Sequence, residues 1–235
     1  MILRDKALRM TSNIVILSKV KNPKNGGNEM SYNEAVVNKN ALYGSRVRRL
    51  CGTAMLGAVA YVLMFLEFPI PLIPSFIKLD FSELPALIAA FAYGPVSGVA
   101  VCLIKNLIHL INTQSGGVGE LSNFILGAVF VFTAGMVYKK LHTKNGAALG
   151  ALIGAVIMAL ISIPSNYFIV YPVYTVFMPM EAIIGAYKAI NPNVNTLMDC
   201  LITFNMPFTF FKGLCSFIIT IFIYKPLSPI LHGYK

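Results

Sequence analysis

Long apolar runs separated by short polar breaks constrain this chain more than any other feature. They cover about 47–66, 81–93, 95–111, 119–140, 146–170 and 198–224. About 20 apolar residues in a helix cross the ~30 Å hydrocarbon core of a bilayer. In lipid, only elements that satisfy every backbone group internally are stable. Charged side chains make up 12% of the chain and hydrophobic ones 57%, against about 25% charge in an ordinary soluble domain. The expected fold class is an all-α integral membrane protein with six transmembrane helices. The runs at 81–93 and 95–111 are short for spans and are expected to be tilted or interrupted beside a cavity.

Charge sets the expected orientation. Basic residues near span ends remain cytoplasmic. Arg46, Arg48 and Arg49 precede the first run, Lys139, Lys140 and Lys144 separate the fourth from the fifth, and Lys225 and Lys235 follow the sixth. The alternate connections carry Glu67, Lys78, Glu181, Lys188 and Asp199, with no basic excess. Six spans with both termini inside satisfy every one of these clusters, whereas five or seven would misplace one. The net charge of +10 thus belongs to membrane topology. Because it forms no polar face, a nucleic-acid partner is not expected. Residues 1–45, with the run "KNPKNGGN", are expected to form a basic, disordered cytoplasmic extension, and residues 46–235 a six-helix domain.

Small residues recur four apart at Ala54 and Ala58 in the first run and at Gly150 and Gly154 in the fifth. Such stripes let helices approach closely in lipid. They serve either packing within the chain or a partner helix, and the second reading is live for Ala54 and Ala58. Cys51, Cys102, Cys200 and Cys215 are scattered, as are His109, His142 and His232. Neither set has the spacing of a disulfide framework or a metal site.

Polar groups at membrane depth are costly and mark functional sites by default. "KLDFSELP" carries Lys78, Asp80 and Glu83 into the second run. "KNLIH" places Lys105 and His109 four apart on one helical face, with Asn106 beside them. "GELSNF" opens the fourth run with Glu120 and Asn123, "PSNYF" gives Asn166 and Tyr167, and "FFKGL" gives Lys212. The topology gathers these at one outward-facing cavity, with Phe81, Tyr167, Tyr171, Phe208 and Phe211 as aromatic neighbours. Apolar walls with a few placed polar groups suit a small-molecule site. Glu120 at a helix start could instead be a dipole partner, and Lys105 a structural ion pair.

No HExxH, GxSxG or GxxxxGK[ST] motif occurs, so enzyme classes and ATP hydrolysis by this chain are not expected. Three readings remain: a binding subunit driven by other chains, a stand-alone transporter coupled to protons through Glu120, His109 or Lys105, and a structural membrane protein. No internal repeat of the kind common in secondary transporters is evident, which favours the subunit.

The segments "KLDFSELPALIAAFAYGPVSGV", "LIKNLIHL", "GELSNFILG", "PSNYF…YPVY" and "FNMPFTFFKGL" occur in that order over about 47–225. In them the chain resembles the riboflavin-specific S components of energy-coupling factor (ECF) transporters. The resemblance implies a six-helix bundle in a bacterial plasma membrane that binds riboflavin. It also implies a membrane-embedded coupling protein and two ATP-binding cassette ATPases as partners. Ala54 and Ala58 would correspond to the contact with the coupling protein. Asn166 and Lys212 would meet the edge of the flavin heterocycle. Asp80, Asn106, Glu120, Asn123 and Tyr167 would follow as ligand contacts, with Lys78, Glu83, Lys105 and His109 as supports. No cofactor is implied; riboflavin is the cargo, with flavin mononucleotide or another vitamin as the alternatives. The stretch 178–197 is longer than a minimal member needs.

Overall fold

The structure, a computed structural model, describes residues 28–74, 77–113, 116–176 and 178–232. The chain forms two units, residues 1–48 and 49–235. Residues 1–27 of the expected extension lie outside the described residues. Helix α1 spans Asn28–Met64, and its apolar part is Gly44–Met64.

Among the described residues, the regular structure of the second unit is helical apart from one small hairpin. After α1, β1 (Phe68–Pro69) pairs antiparallel with β2 (Lys78–Leu79), with Phe68 opposite Leu79 and Pro69 opposite Lys78. This hairpin lies in the proline-rich segment that blocks helix formation. It is followed by α2 (Glu83–Tyr93) and α3 (Pro95–His109), the latter ending in a 3₁₀ turn at Leu110–Asn112. Gly94, at φ 103°, occupies a conformation open to glycine, and Pro95 then starts α3 at its first turn. That pair sharply separates two short helices. Helix α4 is Val118–Leu141, its last turn carrying Lys139 and Lys140 where the helix dipole favours cations. Helix α5, Lys144–Ser165, starts at Thr143, whose side chain accepts the Gly146 N–H.

Two helices are locally widened. Residues Asn166–Val170 form a π turn between α5 and α6 (Tyr171–Tyr174). A short helix α7 (Met180–Lys188) follows. Then α8 (Leu197–Cys200), a second π turn at Leu201–Asn205 and α9 (Met206–His232) run on from one another. Prolines at 164, 172 and 207 flank these turns. Each removes a backbone donor and crowds the preceding turn, and a π turn is one way the ladder yields.

Among the described residues, five helical stretches are long and apolar enough to cross a membrane: Gly44–Met64, Pro95–Asn112, Val118–Leu141, Asn145–Tyr174 and Leu197–Ile223. Helix α2 is the exception. Its 11 residues rise only about 16 Å, and every residue from Glu83 to Phe91 is buried. It is an interior helix wrapped by the others, which is why it is apolar on all sides.

The core joins Leu56 and Ala60 of α1 to Leu87 and Phe91 of α2, Val101 of α3, Phe130 and Ala134 of α4 and Ala155 and Met158 of α5. The stripe in α5 is used inside the chain. A Cβ at Gly150 would lie 2.7 Å from the Ala134 carbonyl oxygen, and one at Gly154 2.8 Å from that of Phe130. Backbone oxygens on a packed helix cannot yield. Gly154→Val is therefore expected to separate α4 from α5 and destabilise the bundle by about 1–3 kcal/mol. An unchanged melting temperature in detergent would show that the close approach is dispensable. In α1, Gly57 packs toward Ile104 and Gly52 toward Tyr93, while Ala54 and Ala58 are exposed on the opposite side.

Candidate functional site

A cavity of about 840 Å³ opens among the end of α1, the hairpin, helices α2–α6, the two π turns and α9, within the range of small-molecule sites. Its apolar walls come from Met64, Phe65, Ile77, Leu126, Met158, Val170, Tyr171, Tyr174, Met178 and Phe208. Its polar groups gather in distinct clusters.

The most buried cluster is a charge quartet. Asp80 and Glu83 flank the start of α2, where the dipole favours anions. Lys212 projects from α9, its Nζ 2.8 Å from Asp80 Oδ2 and 3.2 Å from Glu83 Oε2. Lys105 projects from α3, its Nζ 3.0 Å from Glu83 Oε1, and donates also to the Ser82 hydroxyl. Asn123 Oδ1 lies 3.5 Å from the same nitrogen. Lys105 is 0% exposed and Lys212 14%, so Lys105 stands behind the wall while Lys212 reaches the cavity. Asp80 also accepts the Ser82 backbone N–H at 2.8 Å and the Ser82 hydroxyl. Burial opposes its ionisation, but Lys212, Lys105 and these hydrogen bonds outweigh that and hold its carboxyl well below the usual carboxylate range. Gly127 borders the quartet, where a Cβ would meet Glu83 Oε1 at an ordinary contact distance of 3.5 Å.

A second cluster closes α3 onto α4. His109 Nδ1 lies 2.8 Å from Glu120 Oε1, and the Thr113 hydroxyl donates to Glu120 Oε2 at 2.9 Å. The His109 ring also packs near Phe65, with centroids 5.5 Å apart. At the hairpin, Lys78 pairs with Glu67, and both line the cavity. Elsewhere in the lining the Ser122 hydroxyl donates to Asn166 Oδ1 at 3.4 Å, and Asn112, Asn205 and Thr209 add further polar groups.

Of the residues singled out from the sequence, Lys78, Asp80, Glu83, His109, Glu120, Asn123, Asn166 and Lys212 line this one cavity. Lys105 sits directly behind it. Asn106 and Tyr167 stand outside the lining, against expectation. Asn106 is turned back along its own helix, its Nδ2 donating to the Cys102 carbonyl at 2.8 Å. Tyr167 falls within the π turn that starts at Asn166, and it lies 38% exposed, edge-on to Phe168. Among the aromatic candidates, Tyr171 and Phe208 are in the wall. Phe211 is instead 51% exposed, and Phe81 packs on Phe68.

Asn205 and Thr209 were missed, although a signal existed. With Lys212 they fall at i, i+4 and i+7 on one helical face. No comparable pattern marks Phe65 or Tyr174.

The chemistry is that of a binding site. The lining carboxylates Glu67, Asp80, Glu83 and Glu120 each have a basic partner, from Lys78, His109, Lys212 or the buried Lys105. Several polar clusters interrupt an apolar and aromatic lining, an arrangement suited to a flat ligand with polar edges.

Comparison with known proteins agrees with this architecture. The family described as ECF transporter, substrate-specific component, matches residues 48–224. The riboflavin transporter RibU of Staphylococcus aureus (strain TCH60) is 34% identical over 184 residues, which is 78% of this chain and 92% of that protein. The riboflavin transporter FmnP of Bacillus subtilis (strain 168) is 33% identical over 187 residues, covering 78% and 94%. A solved S component of a bacterial ECF transporter superposes with a TM-score of 0.64 at 33% identity, covering 80% of this chain and 99% of that one. The chain belongs to the substrate-specific components of ECF transporters.

Proposed function

We propose that this protein is the riboflavin-binding S component of an ECF importer, holding the vitamin in the cavity bounded by Lys212 and Asn166. The observation that carries the reading is a cavity with aromatic and apolar walls and internally paired polar groups, in a chain whose relatives are named riboflavin transporters. Each of the lining carboxylates already has a partner within the protein, so none of them calls for a cationic ligand. A flavin tricycle would lie against Phe65, Tyr171, Tyr174 and Phe208. Its carbonyl acceptors and ring N–H would meet Lys212, Asn166 and Asn123, with Asp80 and Glu83 holding Lys212 in place and Glu120 holding His109 and Thr113 at the α3–α4 side. Lys105 and His109 serve as supports. Lys78 would sit toward the mouth.

In this reading the short α2 counts as the sixth span beside the five long ones, with both termini cytoplasmic, as the basic clusters require. The cavity then faces outward. Two ATP-binding cassette ATPases and a membrane-embedded coupling protein drive delivery, and the exposed Ala54–Ala58 face of α1 is the surface offered to the coupling protein. A bacterial plasma membrane is the setting.

Titration of the purified chain with riboflavin is expected to quench flavin fluorescence at one ligand per protein, with nanomolar affinity, about −12 kcal/mol. Binding of thiamin or biotin in its place would retain the family and overturn the substrate.

A further inference from the structure

We propose that Tyr187, on the short helix α7, is a positioning residue of the cavity: through a closed ring of hydrogen bonds it clamps α7 onto two cavity-wall residues and so governs ligand retention. The proposal rests on the reading of this cavity as the ligand site. Tyr187 is 0% exposed although it belongs to a connection between spans. Its hydroxyl donates to Asn205 Oδ1 at 2.7 Å. Asn205 Nδ2 donates in turn to the Tyr171 hydroxyl at 3.2 Å. The two tyrosine hydroxyls also touch. Since the Tyr187 proton is committed to Asn205, that last bond runs from Tyr171 to Tyr187. Each member therefore donates once and accepts once within the ring, and such networks strengthen when every member is satisfied.

The ring joins three elements. Tyr171 directly follows the first π turn and Asn205 ends the second, so both widened turns deliver a member to the same point. Tyr171 and Asn205 line the cavity and Tyr187 does not. Its effect on ligand is thus indirect, through the two side chains it holds. Ile183, one helical turn earlier, packs on the same side into a cluster with Val170, Leu201 and Phe204. Apolar packing on this face needs no hydroxyl, so the buried ring marks a further constraint. Burial, the largest influence on the Tyr187 hydroxyl, pushes its pKa above the ordinary tyrosine value, so it stays a neutral donor. Any opening of the connection at α7 must break this ring.

Two readouts on the full chain test the clamp: amide hydrogen exchange of α7 without ligand, and riboflavin dissociation by stopped-flow fluorescence. Tyr187→Phe keeps the ring packing and deletes one hydroxyl. It is expected to speed exchange across Met180–Lys188 and riboflavin dissociation about tenfold, the scale of one or two buried hydrogen bonds. Tyr171→Phe breaks the same ring from the opposite member and should reproduce both changes. Faster exchange with a wild-type dissociation rate would overturn the positioning role, leaving a purely structural bond. Unchanged exchange would overturn the clamp itself. If the wild-type protein binds no riboflavin, the ligand assignment falls, while the exchange measurement still decides the clamp.

Discussion

Lys212→Ala is expected to weaken riboflavin binding about ten- to a hundredfold while the helical bundle persists. Two losses combine. The ammonium is the cation of the quartet that reaches the cavity, and a charged hydrogen bond to a ligand acceptor contributes about 1.5–3 kcal/mol. Its removal also leaves Asp80 Oδ2 and Glu83 Oε2, 2.8 and 3.2 Å from the missing nitrogen, without that counter-charge. The second loss affects the unliganded protein as well, so it should appear as a lower melting temperature. The double variant Lys212→Ala/Asp80→Asn separates the two. Neutralising Asp80 should restore much of the melting temperature and none of the affinity. Equal affinity of Lys212→Ala and wild type in a fluorescence titration would remove Lys212 from the binding edge.

The sequence announced the spans because hydropathy and charge act over 20-residue windows, where local detail averages out. The boundary at "YGP" and the two short runs were legible for the same reason: glycine and proline leave few conformations open. Gly150 and Gly154 were legible as a packing stripe but not as to partner, since only the fold brings Ala134 and Phe130 opposite them. At the site, the costly residues declared themselves. A lysine or carboxylate inside an apolar run needs a partner, and the quartet is those partners meeting. Directions were less legible. Tyr167 was expected in the wall beside Asn166, but neighbouring helix residues point about 100° apart, and with Asn166 turned inward Tyr167 lies 38% exposed. Asn106 was expected at the ligand because its backbone contact with Cys102 is invisible without coordinates. Tyr187 gave no signal at all. Its importance arises from tertiary contact with Tyr171 and Asn205, 16 and 18 residues away.

Lys105→Met should damage the fold more than any other change considered. Methionine nearly matches the volume of lysine, so packing is roughly conserved and the charge is the variable. Lys105 is 0% exposed and Glu83 3%, and the ammonium also serves Ser82 and Asn123. Taking one partner from a buried pair leaves an uncompensated charge, at a cost of about 3–5 kcal/mol. Replacing both partners is milder, because no charge is then stranded. The variant Lys105→Met/Glu83→Gln should therefore melt closer to wild type than Lys105→Met alone, a non-additivity expected of residues in contact. The contrast with Lys212 is the sharper test. Lys105 lies behind the wall, so the double variant should recover most of the thermal stability and keep Lys212 paired with Asp80. Riboflavin affinity should then fall by much less than in Lys212→Ala. Wild-type melting of Lys105→Met in detergent would mean that Lys105 contributes no net stability through its pairing with Glu83. A double variant that is stable yet unable to bind would instead move Lys105 or Glu83 from support to direct ligand contact.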